Sequence, residues 1–335
     1  MTAEYFRYLL KFKRPSGTSR GVLHEKETFI LEISDDGKKG IGECSLFRGL
    51  SYDDRADYEE KLQWLCENIN CDFEFLKEEL KEFPSIWFGY EQAVLNLKHG
   101  GKLYFPGEFT EGKSSILING LIWMGDINFM EEQIQDKLEQ GFHCIKLKIG
   151  VDWKNEHEIL QKLRLKFSKE KLELRVDANG GFSTAEAKIV LRQLAELNIH
   201  SIEQPIKSGN WNDMAELCAE TPTAIALDEE LIGIVGLNEK KKLLETINPQ
   251  YIILKPSLVG GFSGSDEWIS LAGQKNIKWW ITSALESNIG LNAISQYTFE
   301  KNNLMPQGLG TGGLFTNNFE SNLELKGDRL FFKIK

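Results

Sequence analysis

From about Ser115 the chain repeats one pattern: a short apolar run, a turn, then a stretch with apolar residues three or four apart. The apolar runs read as strands at SILING (115–120), CIKLKIG (144–150), LELRVDA (172–178), HSIEQP (200–205), TAIALDE (223–229), YIILKPS (251–257), IKWWITS (277–283) and NLMPQG (303–308). Between them WKNEHEILQKLRLKF, STAEAKIVLRQLAEL and GFSGSDEWISLAGQ have helical spacing. Strand and helix alternating at this pitch imply parallel strands joined by right-handed crossovers. Roughly eight units in ~195 residues suit a closed (β/α)8-type barrel better than an open doubly wound sheet.

The first 110 residues or so differ. EYFRYLLKF and GVLHEKETFILEIS alternate like strands, GIGECSLF follows, and helical spacing comes at 54–68 and 88–98. The fold class is therefore α/β, a modified (β/α)8 barrel with an α+β N-terminal capping domain. The expected division is 1–112 for the cap and 113–313 for the barrel. The tail from about 314 to 335, containing LELKGDRLFFKI, alternates again and is expected to return to the cap as a strand.

At 335 residues the chain has room for both units, and its hydrophobic (41%) and charged (27%) fractions are those of a soluble globular protein. Forty basic against 50 acidic residues give a net charge of −10, which disfavours nucleic acid or an anionic membrane as partner. No apolar run reaches the ~18 residues of a membrane span, and the N-terminus lacks a signal-peptide core. Five cysteines without a CxxC pair read as reduced thiols of a cytoplasmic protein. The sequence carries no signal for oligomeric state.

Side chains alternate along a strand, so each barrel strand separates its residues onto two faces. Ile145, Leu147, Leu174, Val176, Ile202, Ile225, Leu227, Ile252 and Leu254 fall on the face that must meet the outer helices. Lys146, Lys148, Asp177, Glu203, Asp228 and Lys255 fall on the other, pointing into the lumen. From Lys148 the successive steps to Asp177, Glu203, Asp228 and Lys255 are 29, 26, 25 and 27 residues by subtraction, about one βα unit each. The groups should stand at one height near the C-terminal strand ends, where barrel enzymes keep their active sites. A lone K-x-K is more often a solvated strand face; the whole set at unit spacing on surface strands would be an improbable accident.

Three converging buried carboxylates need a cation. The five histidines are scattered, so an all-oxygen set (Asp177, Glu203, Asp228) selects a hard ion, magnesium or alternatively manganese. Such an ion would attract a small-molecule carboxylate and stabilise the charge that appears when the adjacent carbon loses its proton. A free lysine, pKa ~10.4, is mostly protonated at neutral pH. Lys146 beside Lys148, together with the metal, would disfavour the ammonium form of a base at Lys148, while Lys255 faces the site from the opposite side.

These residues resemble the enolase superfamily, in its muconate-lactonising-enzyme-like branch. The matching motifs are KLK (146–148), VDANGG around Asp177, IEQP around Glu203, LDEE at Asp228 and KPSLVGG at Lys255, with GECSLFRGLS as a loop over the barrel mouth. FPSIWFGYEQA (83–93), SALESNIGLNAISQ (283–296) and QGLGTGGLF (307–315) look like the o-succinylbenzoate synthases of menaquinone biosynthesis. That resemblance implies magnesium-dependent syn-dehydration of a succinyl-hydroxycyclohexadiene carboxylate to 2-succinylbenzoate. Lys148 would be the base and Lys255 would support the enediolate through a cation–π contact. It implies roles around the ligands and base for Asn179 and Glu229. Glu230 stands where the branch usually has serine and reads as a solvated loop acid. N-succinylamino-acid racemases and dipeptide epimerases of the same branch are the rival reading; the epimerases carry D-x-D where this chain has Gly308-Leu-Gly310.

GLGTGG (308–313) also satisfies G-x-G-x-x-G, but it follows the last barrel strand instead of the first, so a nucleotide site is disfavoured. Gly308, Gly310 and Thr311 are better read as a backbone cradle for a substrate carboxylate, with Ser283 and Ser287 as hydrogen-bond donors in the same pocket. Ordinary turn capping competes equally for both serines.

Overall fold

The computed structural model describes residues 1–18 and 21–334. The N-terminal segment forms an antiparallel sheet of β1 (Thr2–Thr18), β2 (Gly21–Asp35) and β3 (Lys38–Cys44), in that order. Helices α1 (Tyr58–Glu67), α2 (Phe73–Glu79) and α3 (Pro84–His99) follow. Their apolar residues pack with Phe29, Leu31 and Ile33 into a core of their own. β3 lies directly on α3 because both elements are bare where they touch: a Cβ on Gly42 would stand 1.9 Å from the Gly89 carbonyl oxygen. α2 falls in a stretch that the pattern of apolar spacing left unassigned. Asp72 caps it, accepting the Glu74 N–H.

After β4 (Ser115–Leu117) come β5 (Gly120–Ile122), α4 (Ile127–Glu139), β6 (Cys144–Lys148), α5 (Trp153–Lys166) and β7 (Glu173–Asp177). Next are α6 (Thr184–Glu196), β8 (Ser201–Glu203), α7 (Trp211–Glu220), β9 (Ile225–Leu227) and α8 (Leu237–Ile247). β10 (Tyr251–Leu254), α9 (Gly261–Gln274), β11 (Lys278–Ile281) and α10 (Asn288–Glu300) complete the series, and a C-terminal hairpin follows, β12 (Leu323–Lys326) and β13 (Arg329–Phe332). β5 to β11 form one seven-stranded sheet whose strands pair in chain order, each parallel to its neighbour.

Three strand expectations need correction. SILING is not one barrel strand: β4 pairs with β13, and the barrel ladder begins only at β5. NLMPQG is no strand either, because Pro306 has no N–H to give and only two residues are bonded on both sides. Gln307 donates to the Leu117 carbonyl and accepts from Asn119, while Gly308 donates to Ile281 and accepts from Ser283. Those four bonds close the ring. The C-terminal tail alternates as expected, but its hairpin adds to β4, not to the β1–β2–β3 sheet. The tail meets the cap just before that hairpin, where Phe315 bridges to Phe12 and Thr316 N–H reaches the Lys11 carbonyl.

The two strand faces lead to two separate cores. Ile145, Leu147, Leu174, Val176, Ile202, Ile225, Leu227, Ile252 and Leu254 belong to the large cluster shared with the outer helices. Ala226, Ile253 and Trp280 form a distinct lumen cluster. Burying both faces of such strands removes their side chains from water and supplies the main drive for closure. Among the described residues no helix is long and apolar enough to cross a membrane.

Candidate active site

Register brings the charged residues level with one another. Lys148 pairs with Asp177 across β6–β7, and Asp177 with Glu203 across β7–β8. Asp228 and Lys255 each follow directly on the last residue of their strands, β9 and β10. Lys146 Nζ lies 2.9 Å from Asp177 Oδ2 and 2.6 Å from Glu203 Oε2. Lys148 Nζ donates to Asp177 Oδ2 at 3.0 Å and to Asn179 Oδ1 at 2.6 Å. Lys255 Nζ pairs with Asp228 and stands 3.8 Å from Glu203 Oε1. Three lysine side chains thus interleave with three acidic side chains that are each almost wholly buried.

Burial works against the Asp177 carboxylate, but Lys146, Lys148 and Lys255 outweigh it and hold its pKa below the usual range. Burial likewise lowers Lys146, yet Asp177 and Glu203 dominate and keep it a firm ammonium. Lys255 behaves the same way: burial opposes its charge, and Asp228 and Glu203 raise its pKa. Asp228 is pushed up by burial and by neighbouring Glu229, against the pull of Lys255.

In these side-chain positions no three carboxyl, imidazole or thiol groups among the described residues stand together closely enough to enclose a cation. The lysines occupy the spaces between the acids. By chemistry, however, the residues fit a hard divalent ion: adjacent strand ends offer only carboxylate oxygens, and Glu203 Oε1 is buried without a hydrogen bond.

Lys146, Lys148, Asp177, Asn179 and Lys255 line one pocket together with Ser283, Gly308, Gly310 and Thr311. Ser283 Oγ donates to Glu286 and accepts from Thr311 Oγ1 at 2.8 Å. Ser287, expected in the same pocket, is fully buried elsewhere; it caps α10 and bonds to Glu43. The cradle reading of Gly308 also needs revision, because its N–H is committed to the Ile281 carbonyl in closing the ring. Asn179, at φ 44°, accepts from Lys148 and donates to Glu229 Oε1 at 3.0 Å, so Asn179 and Glu229 fix the lysine from behind.

Glu230 is not a solvated loop acid. It is 3% exposed, with Gln204 Nε2 donating to it at 3.0 Å and Gly209 N–H at 2.7 Å. Gln204 Oε1 in turn accepts the Asp228 and Glu230 N–H groups, so the pair holds the backbone at Asp228. Burial pushes the Glu230 pKa up, and the bonds from Gly209 and Gln204 pull it down. Glu230→Ala is expected to lower unfolding free energy by about 2 kcal/mol, measured by urea denaturation, because the buried Gln204 amide and the part-buried Gly209 N–H lose a charged acceptor.

The apolar wall residues were not legible one by one, although the GECSLFRGLS loop expected over the barrel mouth carries two of them. Phe47 and Leu50 reach in from the cap, and Leu121, Trp123, Ala284 and Leu285 from the barrel. In sequence an aromatic or leucine facing a ligand looks the same as one facing a core. Glu286, buried and bonded to Ser283 and Ser257, was also missed, because a glutamate beside serines and an asparagine ahead of a helix looks solvated in sequence.

A family model described as enolase C-terminal domain-like matches residues 129–325. o-Succinylbenzoate synthase of Desulfotalea psychrophila is 46% identical, over 98% of both chains. N-succinylamino acid racemase of Thermus thermophilus is 33% identical over 47% of this chain and 40% of its own. Among solved structures, MenC from Desulfotalea psychrophila superposes with a TM-score of 0.88 at 42% identity, covering 99% of each chain. A substrate-liganded L-Ala-D/L-Glu epimerase from Bacillus subtilis gives a TM-score of 0.83 at 20% identity, over 99% of this chain and 96% of its own, a likeness of fold alone.

Proposed function

The chain belongs to the enolase C-terminal domain-like family of the enolase superfamily, and on that premise we propose that it is a carbon–oxygen lyase making 2-succinylbenzoate from a succinyl-hydroxycyclohexadiene carboxylate. The observation that carries this reading is that Lys148 and Lys255 line the same pocket, in a chain similar over its whole length to an o-succinylbenzoate synthase.

Lys148, as free amine, takes the proton from the carbon next to the ring carboxylate. The C–H electrons move toward the carboxylate, then return to expel the neighbouring hydroxyl, which leaves as water with the proton Lys148 had taken. The ring becomes aromatic. Asn179 and Asp177 aim the Lys148 amine, and Glu229 fixes Asn179. Lys146 supplies a permanent like charge beside the base, and Lys255 a fixed cation for the developing anion. Asp177, Glu203 and Asp228 would hold a magnesium ion, which when bound supplies positive charge to the substrate carboxylate. Phe47, Leu50, Leu121 and Trp123 give the ring a dry wall.

A racemase acting on N-succinylated amino acids is the second reading, favoured by the likeness of half the chain to such an enzyme and by the same two lysines. Incubation of the magnesium-loaded protein in D2O separates the two. Aromatic product from the cyclohexadiene, without deuterium entering N-succinylated amino acids, supports the lyase; deuterium exchange without aromatic product overturns it.

A further inference from the structure

The GECSLF segment sends Phe47 into the pocket, but its glutamate, Glu43, points elsewhere. Glu43 ends near the barrel side of β3 and is fully buried. Its Oε1 accepts the Ser287 N–H at 2.9 Å and the Thr28 hydroxyl at 2.9 Å. Its Oε2 accepts the Ser287 hydroxyl at 2.5 Å and the Gly290 N–H at 3.0 Å. A carboxylate of the capping sheet therefore closes the N-terminus of a 13-residue barrel helix, α10, where free N–H groups and the helix dipole favour negative charge.

Gly290 makes the space. A Cβ there would lie 2.8 Å from Glu43 Oε2, although alanine is ordinarily the better helix residue. Immediately before α10 the chain forms a wall of the pocket from Ser283, Ala284 and Leu285. Leu285 has φ 63°, a left-handed conformation that a branched side chain holds only under constraint from both sides. Glu286 supplies one side: it accepts from Ser283 Oγ, Ala284 N–H and Ser257 Oγ, the last only two residues beyond Lys255. Glu43 supplies the other through Ser287. Lys26 of β2 is buried nearby and bonded to Ser45 at 2.7 Å; burial lowers its pKa, while Glu43 and Glu286 raise it. Both acids that hold the wall therefore act on the same buried lysine.

We infer that Glu43 is a positioning residue: by docking the capping sheet onto α10 it sets the Ser283–Leu285 wall against which the substrate binds. This deepens the reaction reading above and rests on it for the identity of the substrate, though not for the geometry. Glu43 touches no reacting atom, so its loss should weaken binding more than chemistry.

Two full-length variants with magnesium test this, Glu43→Gln and Gly290→Ala. Each is expected to raise KM for the cyclohexadiene about tenfold or more while kcat stays within about threefold, since a misplaced wall costs binding that the ground state and transition state share. Amide exchange at 284–291 should quicken about tenfold with β6–β8 unchanged, the mark of a local opening. The double variant should be no worse than the poorer single one, because both break the same contact. Wild-type KM and exchange in either folded variant, or a fall in kcat at unchanged KM, overturns the inference. Should Glu43→Gln not fold, Ser287→Ala, which removes the hydroxyl bond to Glu43 and the cap bond from Ile289 N–H, is read by the same criteria. If the wild type does not convert the diene, the reaction reading fails, and exchange at 284–291 alone decides the role of Glu43.

Discussion

Lys148→Ala is expected to leave a folded protein whose dehydration rate is at most about one-thousandth of wild type, within the 10²–10⁴-fold that a general base contributes. The side chain points into the pocket and donates only to Asp177 and Asn179, so no outer helix contact is lost. Asp177 keeps Lys146 at 2.9 Å, and the buried carboxylate is not orphaned. Lys148→Arg sharpens the test. It preserves positive charge but cannot release a proton near neutral pH, so it should be as inactive as the alanine variant. Residual turnover above that level in Lys148→Ala, or substantial activity in Lys148→Arg, would mean that Lys148 contributes charge and not proton transfer. Rates should be read beside a urea unfolding curve, which separates lost chemistry from lost fold.

Asp177→Asn carries the second large effect, on the metal and on the fold together. Asp177 is the acid most surrounded by cations, and its pKa lies below the usual carboxylate range. The sign follows: folding favours its ionised form, so its contribution is fully present above the unfolded carboxylate pKa and disappears as pH falls through the folded value. Asparagine lacks that contribution at every pH, and it leaves Lys146 with Glu203 as its remaining partner. The metal-free variant should therefore be destabilised by a few kcal/mol at neutral pH, as expected when a buried ion pair loses one member. Calorimetric titration should show magnesium affinity reduced about 100-fold or more, given the share of a single charged ligand in a three-carboxylate set. EDTA followed by magnesium should restore both Tm and activity in the wild type through mass action, and neither in the variant. Unchanged magnesium affinity in Asp177→Asn would show that the ion binds elsewhere.

The chain carried its barrel in plain view because alternation is a local property. β6 and β7 each put branched apolar residues on one face and charged ones on the other, and α9 runs over the same residues, Gly261–Gln274, that its apolar spacing marks. Lys148, Asp177, Glu203, Asp228 and Lys255 could be picked out together because a strand repeats at the length of one βα unit. Where a segment had to choose its partner, the local pattern was silent. The alternation of 323–332 is equally compatible with a place on the capping sheet or on β4, and only packing against β4 selects the latter. The same holds for 303–308, whose two ladder residues close the ring without forming a strand.

Side-chain partners divide along the same line. Residue type and spacing by themselves determined which groups could meet inside the barrel, since period-two geometry decides a side chain's face before any tertiary contact exists. Only the tertiary structure decided what each polar group does there. Glu230 is a buried clamp on Gln204 and Ser287 a helix cap on Glu43, because a lone acid or hydroxyl acquires its role from donors brought near by distant segments. A buried polar atom must be satisfied wherever it lies, and the residue that satisfies it need not be close in the chain.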